Sequence, residues 1–136
     1  MTDDRRRWNE KYSTDEEFDL PDDPIPELER RIDSLPTGRA LDVATGTGRN
    51  ARFLAAEGYD VDAVDVSDEA LDRAARAARA DGVDERVTWI RSDVAEFAFE
   101  ESAYDVITVS FFAALDLLPD IKEVLAPDGV LIYEHH

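Results

Sequence analysis

The apolar positions of this chain change their period several times, and each change marks an element. Short strand-like runs stand at about 39–44, 60–66, 86–91, 104–110 and 130–134, and the one at 104–110 is almost fully apolar past Asp105. Between them apolar residues recur every three or four positions, as one face of a helix requires. One helix is predicted over about 48–57, with Gly58 as its stop. Another runs through an alanine-rich stretch to about 80, capped by Ser67, with Asp68 and Glu69 in its first turn and Gly82 closing it. A short helix or turn is expected at 94–101, and a helix around 114–125 is broken or restarted at Pro119. The Pro127-Asp128-Gly129 turn leads into the last block. Upstream, residues 5–12 form a short predicted helix with Trp8 and Tyr12 on one face, and 13–26 read as an acidic, proline-bearing loop. A helix then starts at Pro26, buries Leu28, Ile32 and Leu35, and ends at Pro36. Strand–helix alternation of this kind predicts one parallel sheet with helices on both faces and right-handed crossovers.

Composition narrows the function classes. The 136 residues suffice for one domain with its own core. Thirty-three acids oppose 15 bases for a net charge of −18, which repels nucleic acid and anionic membrane, so neither is an expected partner. High charge can also mean disorder, but 43% hydrophobic residues in periodic blocks argue for a folded chain. Acid excess with only Lys11 and Lys122 as lysines resembles proteins of salt-loving archaea, where salt screens self-repulsion. The absence of cysteine excludes disulfides, thiolate metal sites and a cysteine nucleophile. His135 and His136 sit at the chain end and read as a frayed terminus, so no metal site is expected. No apolar run approaches membrane-spanning length, and the first seven residues lack the apolar segment of a signal peptide; a cytoplasmic location is expected.

The chemistry concentrates where strands give way to helices. Ala40-Leu41-Asp42-Val43-Ala44-Thr45-Gly46-Thr47-Gly48-Arg49-Asn50 reads as a buried strand with an acid near its end, a glycine turn and a helix start. Glycines without a Cβ let the main chain approach a ligand, and the helix start offers N–H groups. Asp65 closes the next strand, about 20 residues on, where an acid suits the two hydroxyls of a ribose. Gly46-x-Gly48-x-x-Ala51 by itself is a weak dinucleotide fingerprint. Asp42, four residues before Gly46, would repel a pyrophosphate and suits a cationic amino group instead. Asp93, after the third strand, is placed to accept from an exocyclic adenine amine.

Taken in order, these motifs resemble a class I S-adenosylmethionine-dependent methyltransferase over residues 39–134. The resemblance rests on Leu41-Asp42-Val43-Ala44-Thr45-Gly46-Thr47-Gly48, Val64-Asp65-Val66-Ser67, Ser92-Asp93-Val94, Tyr104-Asp105-Val106-Ile107 and Leu125-Ala126-Pro127-Asp128-Gly129-Val130-Leu131. Ala44 stands where the family most often has its first glycine, as in quinone C-methyltransferases. Trp8-Asn9-Glu10-Lys11-Tyr12 and Gly48-Arg49-Asn50 are similar to the tellurite-resistance and thiopurine type of small-molecule methyltransferase. The resemblance implies an α/β Rossmann-like sheet of about five strands in the order 3-2-1-4-5, with residues 1–38 as a lid segment and 39–136 as the cofactor domain. It implies that Asp42 holds the methionine amino group, directly or through water, and that Ala44, Thr45 and Gly46 line the methionine moiety. Asp65 would take the ribose hydroxyls, Val66 would pack on adenine, and Asp93 and Val94 would face its amine and ring edge. Ser110 and Phe111 would border the sulfonium and the acceptor. Trp8 and Tyr12 either pack on the sheet or close the pocket, and Tyr12 is counted with the cofactor-binding residues.

The implied activity is methyl transfer to a small-molecule acceptor, with no residue singled out as a base. Missing cysteine argues against arsenic methylation, and Ser110-Phe111-Phe112 is not the Asn-Pro-Pro-Tyr type of exit that amino methylation of DNA bases uses. The alternatives are a non-catalytic or shortened module that only binds the nucleoside and, further off, a nicotinamide-dinucleotide-binding fragment. The C-terminal antiparallel strands of the family are lacking after strand five. That edge then predicts a homodimer through strand five or its neighbouring helix.

Overall fold

The computed structural model describes residues 23–93, 103–110 and 118–134. The expectations for the helix at 5–12, the turn at 94–101, and Trp8, Tyr12, Val94, Phe111, Phe112, His135 and His136 lie outside the described residues.

Five strands form one parallel sheet: β1 (Arg39–Val43), β2 (Asp60–Asp65), β3 (Val87–Arg91), β4 (Tyr104–Ser110) and β5 (Leu125–Glu134). Their order across the sheet is β3-β2-β1-β4-β5, the order the sequence implies. The helices are α1 (Pro26–Arg31), α2 (Arg49–Ala56), α3 (Asp68–Asp81) and α4 (Leu118–Lys122). Because side chains alternate along a strand, the sheet feeds two cores. Ala40, Val61, Ala63, Val106 and Ile132 pack with Ile25, Leu28, Leu54 and Tyr59 on one face. Leu41, Val43, Val64, Ile107 and Val109 pack with Ile121 and Val124 on the other.

Local signals set most boundaries. The Ser67 hydroxyl accepts the Ala70 N–H at 3.1 Å and caps α3, while Gly82 ends it at φ 77°. The buried stripe of α3 is Ala70, Leu71, Ala74 and Ala78, so small side chains bring this helix close to the sheet. Pro26 opens α1, and Ile32–Ser34 tightens into a 3-10 turn before Leu35 becomes extended. Pro119 lies in the first turn of α4, where its missing N–H costs nothing.

One boundary differs from the sequence expectation. The sequence predicts strand five from Val130, but β5 begins at Leu125, which pairs with Tyr104. The register then slips, and the step from Tyr104 to Val106 on β4 is matched by Leu125 to Val130 on β5. The Pro127-Asp128-Gly129 turn is therefore a bulge inside the strand, with Asp128 at φ 68°.

Candidate functional site

Asp42 and Asp65 stand towards the carboxyl ends of adjacent strands, and both are buried, Asp42 completely. Asp42 sits in register with Thr108 of β4. The Thr108 hydroxyl donates to Asp42 Oδ1 at 2.8 Å, and the Thr45 hydroxyl donates to Oδ2 at 2.6 Å. Burial pushes the Asp42 carboxyl up to about 6, against the opposing pull of the two hydroxyls and of the Arg49 charge. Asp65 accepts the Gly46 N–H on Oδ2 and the Ser67 N–H on Oδ1, each at 2.9 Å. Burial raises its pKa as well, and the backbone donors from Gly46, Ser67 and Val66 hold it back.

Between these acids the chain turns from β1 into α2. Ala44, Gly46 and Gly48 all take positive φ, at 59°, 58° and 78°. The turn is required for the helix to start where it does, and Ala44 adopts a backbone region that its Cβ disfavours. Gly48 has a different reason to be glycine. A Cβ there would lie 2.8 Å from the Ala74 Cβ and 3.2 Å from the Trp89 ring, so its bare Cα serves the packing of α2 against α3 and β3.

Three of the backbone donors of this turn are engaged within the protein. The N–H of Thr45 bonds the Val64 carbonyl at 3.1 Å, that of Gly46 bonds Asp65, and that of Gly48 bonds the Thr45 carbonyl at 2.8 Å. A pyrophosphate needs such N–H groups pointed at it. The N–H groups of Thr45, Gly46 and Gly48 face the protein, and the turn is backed by two carboxylates. This arrangement suits a cationic or neutral group and disfavours an anion.

The donor set fits a nucleoside with an amino-acid tail. An ionised carboxylate offers about four acceptor positions, and Asp65 turns part of them to the N–H groups of Gly46, Ser67 and Val66. The positions left over suit ribose hydroxyls. Val66 and Asp93 are half-exposed beside it, and the Ser92 N–H bonds the Asp65 carbonyl at 3.0 Å, which ties the exit of β3 to the exit of β2. Asp42 has no exposed surface, so in this conformation its charge reaches the turn through Thr45. Ser110 is the last residue of β4, paired with Glu134 of β5 at the same carboxyl edge.

Three residues that sequence reasoning gave no role belong to this neighbourhood. Arg49 and Asn50, at the start of α2, are 7% and 1% exposed despite their polarity. Arg49 Nη1 donates to the Asp23 carbonyl at 2.9 Å, and Asn50 Oδ1 accepts the Ile25 N–H at 2.8 Å. Together they fasten residues 23–25 to the helix that follows the glycine turn. Thr108 is the third. Its signal in the sequence is a single hydroxyl in an otherwise aliphatic strand core, which reads as an ordinary β-former.

The chain matches the methyltransferase domain family over residues 40–129. It is 31% identical over 108 residues to the demethylmenaquinone methyltransferase of Clavibacter sepedonicus, covering 76% of this chain and 43% of that protein. It is 39% identical over 106 residues to the ribosomal protein uL3 glutamine methyltransferase of Bordetella pertussis, covering 71% and 35%. The phosphoethanolamine N-methyltransferase 2 of Haemonchus contortus, solved with phosphomonomethylethanolamine and S-adenosylhomocysteine, superimposes with a TM-score of 0.67 at 30% identity, over 79% of this chain and 26% of that one. The chain thus spans less than half the length of these relatives. With the sheet order, the glycine turn and this match over most of its length, the chain belongs to the class I S-adenosylmethionine-dependent methyltransferases.

Proposed function

We propose that this chain binds S-adenosylmethionine at the β1–α2 turn and transfers its methyl group to a small-molecule acceptor. The observation that carries the cofactor reading is the turn in which the N–H groups of Thr45, Gly46 and Gly48 are bonded to Val64, Asp65 and Thr45, with two buried carboxylates behind it. Asp65 takes the ribose hydroxyls, and Val66, Asp93 and Val94 surround the adenine. The carbonyl edge of Ala44, Thr45 and Gly46 receives the methionine moiety, whose amino group is drawn by Asp42 through Thr45. Ser110 at the end of β4 borders the reacting sulfonium, and residues 1–38, with Tyr12, cover the pocket. S-adenosylmethionine when bound supplies an electrophilic methyl, and the protein's task is to hold the acceptor in line with it.

The small-molecule acceptor is supported by the tellurite-resistance and thiopurine spelling of Trp8–Tyr12 and Gly48-Arg49-Asn50. The relatives act on different acceptors, a demethylated quinone and a protein glutamine by their names. The net charge of −18 supports a salt-adapted, cytoplasmic protein. Calorimetry in molar KCl with S-adenosylhomocysteine and with NAD tests the cofactor. Binding of the former alone is expected, and binding of NAD alone would overturn the reading. A melting temperature that does not rise between dilute buffer and molar KCl would remove the salt adaptation.

A further inference from the structure

The interior of β4 is aliphatic except at one position. Val106, Ile107 and Val109 are fully buried, and so is Thr108 between them. A hydroxyl in such a place is costly unless it is bonded, and valine would fill the same volume without that requirement. The Thr108 hydroxyl donates to Asp42 Oδ1, 66 residues earlier in the chain. The other oxygen of the same carboxylate takes the hydroxyl of Thr45, inside the glycine turn. One carboxylate therefore joins three pieces: β1, which carries it, β4 on one side, and the turn on the other. The charged groups that bear on it are Arg49 from α2, which favours its ionised form, and Asp65 from β2, which opposes it.

We propose that Thr108 is a positioning residue for the cofactor turn, acting through Asp42. By occupying Oδ1 it fixes the plane of the carboxylate, so that Oδ2 meets Thr45 and holds that residue's rotamer. The oxygen of Thr45 and the neighbouring carbonyls are then presented in one arrangement to the amino group of the cofactor. The proposal rests on the reading of this turn as the cofactor site. It goes beyond that reading by assigning a role to a side chain on β4 that lies behind Asp42.

Four variants test it: Thr108→Val, Thr108→Ser, Asp42→Ala, and Thr108→Val combined with Asp42→Ala. In the protein without cofactor, the Asp42 carboxyl is titrated by carbon-13 NMR. Loss of one hydroxyl donor in Thr108→Val should raise its midpoint by about one to two pH units, and Thr108→Ser should leave it in place. A folded Thr108→Val protein with the wild-type midpoint would overturn the proposal, whatever the cofactor is. Calorimetry with S-adenosylhomocysteine at pH 7 forms the second arm. Thr108→Val should weaken binding by about tenfold when introduced into the wild type, and by less than about twofold when introduced into Asp42→Ala, which leaves no oxygen for the hydroxyl. An equal loss in both backgrounds would show a packing role and sink the idea. If Thr108→Val alone does not fold, recovery of folding in the double variant supports the coupling, and failure of both refutes it. Wild-type protein that binds no S-adenosylhomocysteine would overturn the cofactor reading, and the titration would still decide whether Thr108 positions Asp42.

Discussion

The two ends of the same sheet treat their acids in opposite ways. At the amino edge, Asp62 meets the Arg39 guanidinium at 3.1 Å and the Tyr104 hydroxyl at 2.7 Å, and Arg39 lies 4.9 Å from the centre of the Tyr104 ring. Asp105 there accepts the Arg39 N–H at 2.9 Å. These carboxylates are partly solvated, and Asp62 is matched by a cation. At the carboxyl edge, Asp42 and Asp65 are buried and their hydrogen-bond partners are neutral: hydroxyls for Asp42 and backbone N–H groups for Asp65. An acid matched by a guanidinium has its charge settled within the protein. An acid bonded to neutral donors, with Arg49 acting on Asp42 only through its charge, has that charge less completely settled within the protein. The two edges are nearly indistinguishable as lists of residues, and the partners separate them.

The contrast has a pH signature, which should be its largest effect. Folded, Asp42 keeps its proton up to about pH 6, and unfolded it releases it near 3.8. Between those values the folded state binds more protons, so unfolding free energy should fall as pH rises through that window. Two units at about 1.4 kcal/mol each give on the order of 3 kcal/mol. Urea titrations from pH 4 to 7 should show this slope in the wild type and a shallower one in Asp42→Asn; parallel curves would show that Asp42 bears no unmatched charge. Next in size is Asp65→Ala, which removes hydrogen bonds to a charged group worth about 1.5–3 kcal/mol each. Affinity for S-adenosylhomocysteine should drop by about ten- to a hundredfold in a protein that still folds, as measured by calorimetry. Ala44→Gly should act in the other direction. Relief of a positive φ at a residue with a Cβ is worth about 1 kcal/mol, so the melting temperature should rise by a few degrees. The smallest effect belongs to the amino edge. Asp62→Asn breaks a half-exposed ion pair and should cost under about 1 kcal/mol, with cofactor affinity untouched. A loss of affinity in that variant would erase the distinction between the two edges.

Most of the fold was legible because its signals are local. Ser67 and Gly82 bracket α3 through their own side chain and backbone, and the apolar blocks at 60–65 and 104–110 need no partner to be recognised. The start of β5 was not legible, since Leu125 is a strand residue only by pairing with Tyr104, and the turn residues after it signal an interruption that the sheet absorbs as a bulge. The acids of the site were readable from their place at strand ends. What holds them was not. Thr108 and Asp42 are 66 positions apart and meet only through the β1–β4 register, and Gly48 owes its identity to Trp89 and Ala74 from two other elements.

The bonds from Arg49 and Asn50 to residues 23–25 make the beginning of the described chain and the cofactor turn one mechanical unit. A chain trimmed to start at α1 would take from Arg49 the Asp23 carbonyl and from Asn50 the Ile25 N–H, both at side chains that water hardly reaches. If the turn is the cofactor site proposed above, fusion partners and proteolytic nicks placed just before Pro26 should act on ligand binding, even though about twenty residues of sequence separate them from the glycines.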